Sequence, residues 1–202
     1  MTLLSRAILS FAKTPIFGWS GSGWDQLDQK ADLITYTRPL STSDTGEKLR
    51  NMLTDPANPI DPAYTILCFG EEGEMPYLRG RTVRNVKVSA YLDATILMAA
   101  ELSANLMEFT DNLSASGVIL SVNRHSRSLP FCAREATGAS NDNDDPTIRY
   151  ADTNIYLPSD ITLNTDMELQ IGLDYYDIES VFNPHGMVAC RCVTKRAATP
   201  HG

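Results

Sequence analysis

Histidine and cysteine are scarce in this sequence of 202 residues, which holds three of the former and four of the latter. The histidines are His125, His185 and His201, and the cysteines contain no C-x-x-C pair. Structural zinc sites are usually built on such pairs, so a zinc finger is excluded. Four cysteines in a chain of this length also make no dense disulfide framework, and we expect free thiols.

Positive charge and long apolar runs are also in short supply. The chain has 17 Lys and Arg against 25 Asp and Glu, a net charge of −8, which opposes general attraction to nucleic acid or anionic membranes. No apolar run approaches the ~18 residues of a membrane span. The first residues carry Arg6 and Lys13 but no acid before Asp25, faintly like a transit peptide, whereas Arg6 interrupts any secretory signal.

Motifs for nucleotide binding and nucleophilic catalysis are missing as well. Neither G-x-G-x-x-G nor G-K-[ST] occurs, and "GWSGSGW" lacks the final glycine of a nucleophile elbow. An enzyme would have to assemble its site from Cys132, His125 and His185 through the fold, and no family signature surrounds that cysteine. We therefore predict no catalytic residue and no cofactor, and interpret the chain as non-enzymatic.

What the chain does contain is a β-strand pattern in its second part. In "MELQIGLD" (residues 167–174), Met, Leu, Ile and Leu alternate with polar residues and glycine. Strands are predicted in the same way within residues 63–70, 82–92, 117–124, 147–158, 166–176 and 186–195. Several short strands separated by turn residues are typical of a sandwich or an open barrel.

Two segments depart from that pattern. Residues 93–112 are rich in Ala, Leu, Met and Glu and can gather their apolar residues on one helical face, so a helix is preferred over a strand. Period-2 alternation also fits parts of this segment. Residues 1–62 contain five prolines and are interpreted as an extended arm. The expected fold is a Pro-rich arm over 1–62, then an antiparallel, jelly-roll-like β-sandwich over 63–202 with one inserted helix.

The densest acidic stretch is "SNDNDDPTIRYAD" (residues 140–152). Counted from Asp142, an EF-hand loop would need a glycine at the sixth position and a glutamate at the twelfth, where Thr147 and Thr153 stand. An EF-hand is excluded, and a polar loop between strands is the preferred interpretation. A looser metal site stays open, with these weak candidate ligands: Asp142, Asp144 and Asp145.

Other residues are candidates for contacts with partner molecules. Trp19 and Trp24 flank a glycine-rich joint and are predicted to anchor into a partner surface. A basic cluster comprises Arg79, Arg81, Arg84 and Lys87. It could contact phosphates, although no stacking aromatic residues accompany it. The other interpretation is an intersubunit surface that meets acidic loops, including Asp144 and Asp145.

The expected layout, an arm followed by a β-sandwich, resembles that of single jelly-roll virion proteins, whose arms and loops contact neighbouring subunits. It departs from capsid proteins that enclose single-stranded RNA, which often carry a strongly basic arm. The resemblance implies a structural subunit of a viral capsid or a capsid-associated protein, located in the virion, with copies of itself and other shell proteins as partners. The alternatives are a cytoplasmic location and a module that binds calcium or carbohydrate through loops near residues 140–146.

Overall fold

The computed structural model describes residues 14–35, 49–85, 92–136 and 153–195. These residues form twelve β-strands and one short 3-10 turn, Pro184–Gly186. Every strand pair within them is antiparallel. The prediction of a mainly β, antiparallel protein is therefore confirmed.

The first six strands close into one barrel, barrel 1. Its strand order is β1-β2-β3-β6-β5-β4, and β4 pairs back with β1, as in Phe17 opposite Cys68. The strands are β1 (Thr14–Trp19), β2 (Trp24–Thr35), β3 (Leu49–Thr54), β4 (Ile66–Phe69), β5 (Tyr77–Asn85) and β6 (Leu92–Ala99).

The last six strands close into a second barrel, barrel 2, in the order β7-β8-β9-β12-β11-β10. Adding six to each strand number of barrel 1 gives this order, so the two barrels share one connectivity. Within each, the fourth strand returns beside the first, which is a Greek key. The strands are β7 (Leu102–Leu113), β8 (Ile119–Ala136), β9 (Thr153–Leu157), β10 (Glu168–Ile171), β11 (Asp174–Phe182) and β12 (Val188–Lys195).

The inserted helix predicted over residues 93–112 is wrong. The segment forms β6 and most of β7, with Ala100 and Glu101 between them. β6 lies between β3 and β5 and is hydrogen-bonded on both sides. Helix propensities differ by only ~0.7 kcal/mol per ordinary residue, so pairing and burial on two sides outweigh them.

The extended arm predicted over residues 1–62 also differs from the structure in its described part. β1, β2 and β3 are integral strands of barrel 1 and pair with β4 and β6. Strand β1 tolerates a proline because Pro15 lies where the register between β1 and β2 shifts. At such a position the missing N–H of proline removes no hydrogen bond from the ladder. The jelly-roll-like sandwich is not what the strand order shows, because both sheets close on themselves.

Three apolar clusters hold the molecule together. One fills barrel 1 around Leu67 and Leu97, and another fills barrel 2 around Leu157 and Leu169. The third lies between the barrels and joins side chains of both: Ile66, Leu78, Met98 and Ala100 with Ala133, Tyr156, Met187 and Ala189. The described chain is thus two barrels fastened by a shared apolar interface.

Candidate functional site: a projecting ribbon and an inter-barrel cleft

β7 and β8 extend well beyond barrel 2. β10 pairs with β7 only at residues 105–107, and β9 pairs with β8 only at residues 133–136. The pairing of β7 with β8 continues to Leu113 opposite Ile119. Residues 108–128 therefore form a two-stranded projection, the ribbon, whose two outer edges pair with no strand of the described chain.

The tip of the ribbon is a compact turn over residues 114–118. Ser114 accepts a hydrogen bond from the Val118 amide at its Oγ (3.0 Å), and its own amide donates to the Val118 carbonyl (2.8 Å). Gly117 has φ +79°, a conformation that costs side-chain-bearing residues energy. These local bonds fix the tip without help from either barrel.

The large apolar side chains of the ribbon are more exposed than is usual on a protein surface. Leu120 is 70% exposed. Of the ten large apolar side chains that are exposed in the described residues, six belong to the ribbon. Clustered exposure of this kind marks a contact surface far more often than scattered single residues do. The six are Phe109, Leu113, Val118, Ile119, Leu120 and Val122.

The charges of the ribbon are divided between its strands. β7 supplies the carboxylates of Glu108 and Asp111, whereas β8 supplies Arg124 and Arg127. The Arg124 guanidinium lies 5.6 Å from the centre of the Tyr175 ring, a cation–π contact, and touches the Met107 sulphur. The carboxylates thus belong to β7 and the guanidinium groups to β8, and that of Arg124 reaches across β7 toward β11.

The predicted partner anchors Trp19 and Trp24 lie opposite each other at the end of the β1–β2 hairpin. Both pack against Phe131 of β8, with ring centres 5.3 and 5.5 Å from it, and against each other at 5.3 Å. Edge-to-face contacts of this kind stabilise an interface between packed units. This contact between the barrels accounts for both half-buried indoles, and anchoring into a partner stays a prediction.

One member of the predicted basic cluster, Arg79, contacts the chain's own backbone. Arg79 donates to the backbone carbonyl oxygens of Ile60, Asp61 and Tyr64, and burial lowers its pKa, an effect that Asp61 partly opposes. Arg81 is exposed. For Arg84 the structure describes the backbone, which belongs to β5, and Lys87 lies outside the described residues. Arg79 thus holds a loop of barrel 1 and is not available as a phosphate contact.

A cleft of about 540 Å³ separates the barrels on one side. Barrel 1 contributes Trp19 and the segment 61–66, and barrel 2 contributes residues 127–131 and 158–161. Asp160 accepts a hydrogen bond from the Thr65 hydroxyl (3.1 Å) across it. The Tyr64 hydroxyl donates to Asp25 (3.1 Å), and this bond raises the pKa of the tyrosine. The lining of the cleft combines aromatic rings, carboxylates and a guanidinium group.

The candidate catalytic residues do not come together. Cys132 and His125 lie on the same strand, β8, seven positions apart, which is ~23 Å along an extended chain. Burial raises the pKa of the Cys132 thiol to about 12, so it stays protonated at neutral pH, whereas nucleophilic cysteines need a thiolate. His185 lies in the 3-10 turn, on another part of the molecule.

The candidate metal ligands Asp142, Asp144 and Asp145 lie outside the described residues. Within those residues, no three His, Cys, Asp or Glu side chains converge where they could hold a metal ion. The structure describes no helix with the length and apolarity needed to cross a membrane.

Sequence reasoning missed the ribbon and the cleft. "GVILSVNR" was recognised as a strand, but alternation indicates two faces without saying which is covered. The sequence signal for the ribbon is the turn segment "SASG" between two stretches without glycine or proline, residues 102–113 and 118–129. The two sides of the cleft come from segments at least 61 positions apart in the chain (Ile66 to Arg127), so no local pattern indicates it.

The fold and these surfaces define the chain as a double Greek-key β-barrel protein with one projecting β-ribbon. No protein-family model, no curated protein and no solved structure matches it.

Proposed function

We propose that this protein is a non-enzymatic structural subunit of a larger assembly, a viral capsid or capsid-associated protein in the virion, that acts through contacts between subunits. The projecting ribbon carries this proposal. An isolated two-stranded hairpin is marginally stable in water, and this one presents six large apolar side chains to solvent. Both its stability and its exposed surface favour a partner that covers it.

The placement of the candidate residues Cys132 and His125, seven positions apart on β8, supports the same proposal. The thiol of Cys132 is buried, and its raised pKa opposes nucleophilic use. The acidic net charge of −8 favours protein partners over nucleic acid. The expected partners are copies of this chain and other proteins of the shell.

Size-exclusion chromatography with light scattering, run over a series of protein concentrations, tests the proposal. We expect species larger than the monomer, and we expect Leu120→Asp with Val122→Asp to shift them to monomer. Leu173→Asp is the matched control, because Leu173 is 88% exposed but lies in the β10–β11 turn, away from the ribbon. A native chain that stays monomeric at every concentration would overturn the proposal.

The inter-barrel cleft favours a second function, that of a ligand-binding module. Its volume of about 540 Å³ lies within the range of small-ligand sites. Trp19 and Phe131 offer an apolar wall, while Asp61, Asp160 and Arg127 offer hydrogen-bonding groups at its rim. This combination suits a carbohydrate, with the cleft as its site.

Tryptophan fluorescence separates the two functions. Titration with a panel of neutral mono- and oligosaccharides should change the emission of the cleft tryptophan if this second function holds, and Asp160→Asn should weaken the change. Calcium titrated in parallel tests a metal ligand near residues 140–146. No response to any of these additions would remove the second candidate.

A further inference from the structure

The ribbon has two free strand edges, and the strands that form them carry charged residues of opposite sign. The outer edge of β7 is unpaired from residue 108 onward, and that of β8 is unpaired up to residue 132 within the described chain. Unpaired N–H and C=O groups along an extended edge are a template for another strand. Neither a proline nor a lysine interrupts residues 108–128, although such residues commonly block unwanted edge pairing.

The spacing of the charges on the two edges is the same. Glu108 and Asp111 are three positions apart on β7, and Arg124 and Arg127 are three positions apart on β8. In an antiparallel pair, residues whose numbers add to a constant lie opposite each other. If Glu108 lies opposite Arg127 of another copy, then Asp111 lies opposite Arg124 of that copy.

We propose that β7 of one copy pairs antiparallel with β8 of a second copy in this register. The partner of the ribbon is then this chain itself, and the contact is head to tail. The inference rests on the proposed assembly function and specifies its contact. Opposite charges directly across a sheet stabilise a strand pair, and like charges destabilise it.

The backbone permits this register. Within one copy, residues 104–112 pair with residues 121–129 so that their numbers add to 233, as for Phe109 opposite Arg124; in the proposed contact the numbers add to 235. The two sums differ by an even number. Residues that point their N–H and C=O groups outward on β7 therefore meet residues that point outward on β8. A shift of one position would break this match.

Other side chains in the register are also compatible. Leu113 lies opposite Val122 of the second copy, so two exposed apolar side chains cover each other. Thr110 lies opposite His125. Symmetric pairing of β8 with β8 would instead bring the arginines of both copies to one contact, and pairing of β7 with β7 would do the same for the carboxylates. Charge therefore selects the head-to-tail arrangement.

Head-to-tail contacts can repeat, because in a row of copies the first and the last copy each keep one unpaired edge. Such contacts close into rings or continue as open arrays, depending on the rotation between copies. A shell or tube subunit uses contacts of this type, whereas a two-fold dimer stops at two chains.

Charge reversal on the full chain tests the register. Glu108→Arg alone and Arg127→Glu alone should each raise the dissociation constant of the assembly by about tenfold or more, since like charges then face each other. The double variant, Glu108→Arg with Arg127→Glu, restores opposite charges and should return to within about threefold of the native value. Glu179→Arg, an exposed change on β11, is the control and should assemble as the native chain does.

Cysteine cross-linking tests which strands meet. All four native cysteines are buried, so introduced thiols report the contact. A mixture of Thr110→Cys and His125→Cys chains should give a disulfide-linked dimer under mild oxidation. Each variant alone should give none, because position 110 does not meet position 110 head to tail. Thr110→Cys mixed with Ser121→Cys is the out-of-register control.

The outcomes separate the inference from the proposed function. A native chain that never associates defeats both. A native chain that associates, while the single reversals have no effect or the double variant stays weak, defeats this contact alone. Cross-linking within either single-variant solution would show symmetric pairing and would also overturn the inference.

Discussion

At the scale of single residues, Arg79 stabilises the loop between β3 and β4. Its guanidinium donates to three backbone carbonyl oxygens, those of Ile60, Asp61 and Tyr64. Backbone oxygens in a half-buried loop need such partners, because losing a hydrogen bond there costs the desolvation of the group. The loop in turn forms one wall of the inter-barrel cleft.

Replacing Arg79 by alanine should lower the free energy of unfolding by about 2–4 kcal/mol, because three carbonyl groups lose a charged donor. Urea unfolding at pH 7 measures this. Arg81→Ala is the matched control; that side chain is exposed two positions away, and the change should stay within about 0.5 kcal/mol. Equal effects of the two substitutions would contradict the structural role of Arg79.

The thiol of Cys132 should make stability depend on alkaline pH. Burial raises its pKa from an ordinary 9.0 to about 12, against a smaller opposite effect of Arg134. The unfolded chain therefore releases this proton above pH 9 while the folded chain keeps it until about pH 12. Stability from this group is complete below pH 9 and is lost as pH rises from 9 to 12.

Urea unfolding of the native chain and of Cys132→Ala at pH 8 and pH 10 isolates that contribution. Between these two pH values the native chain should lose about 1.4 kcal/mol more than the variant. Titration of the other cysteines and of the tyrosines affects both chains alike. Parallel pH dependence in the two chains would be the contrary result.

At the scale of elements, the 3-10 turn of barrel 2 docks onto β5 of barrel 1 with backbone nearly touching backbone. A Cβ added at Gly80 would lie 2.5 Å from the His185 carbonyl oxygen, and one added at Gly186 would lie 2.8 Å from the Arg81 amide nitrogen. Gly186 also has φ +83°. The two glycines are therefore required by a close approach between the barrels.

Gly186→Ala should lower the free energy of unfolding by roughly 2–4 kcal/mol, since backbone strain adds to a clash with backbone atoms. Gly172→Ala provides the control, because Gly172 has φ +61° but nothing within 4 Å of its added Cβ. That variant should show only the strain, about 1–2 kcal/mol. Thermal unfolding of both measures the difference, and equal destabilisation would mean that the close approach does not matter.

Elements also show where prediction from sequence succeeds and fails. The alternation in "MELQIGLD" predicts a strand, and in β10 Leu169 and Ile171 are buried as the pattern predicts. The predicted strand is divided, however, because Gly172 and Leu173 form the turn to β11 and Leu173 is exposed. Residues 93–112 satisfied a helical pattern as well as a strand pattern, and hydrogen bonding to β3, β5 and β8 decided between them. The partners of a strand are distant in sequence, so no local window contains this information.

At the scale of the whole molecule, the interface between the barrels is a core in its own right. Eight buried side chains from both barrels pack there, with the tryptophan pair and Phe131 at its rim. Burial of this apolar surface gains roughly 25 cal/mol per Å², which neither barrel obtains alone. The two barrels should consequently be stabilised as one unit.

Differential scanning calorimetry of the full chain should therefore show the two barrels unfolding in one transition, with equal calorimetric and van't Hoff enthalpies. Phe131→Ala should weaken the coupling between the barrels and broaden the transition or split it in two. Phe109→Ala, an equivalent change on the exposed ribbon, should leave the transition single. Two separate transitions in the native chain would contradict a shared core.

The sequence by itself determined the β class, the antiparallel arrangement and the free state of the four cysteines. These properties are written in local alternation and composition, which depend on each residue and its immediate neighbours. Only the tertiary structure decided that residues 14–35 and 49–54 form part of a barrel, that Arg79 faces inward and that the apolar residues of the ribbon face out. Those outcomes depend on which distant segments cover a given surface. The two barrels have the same connectivity but no repeated sequence, because the order of strand pairing constrains the path of the backbone and leaves the identity of the side chains open.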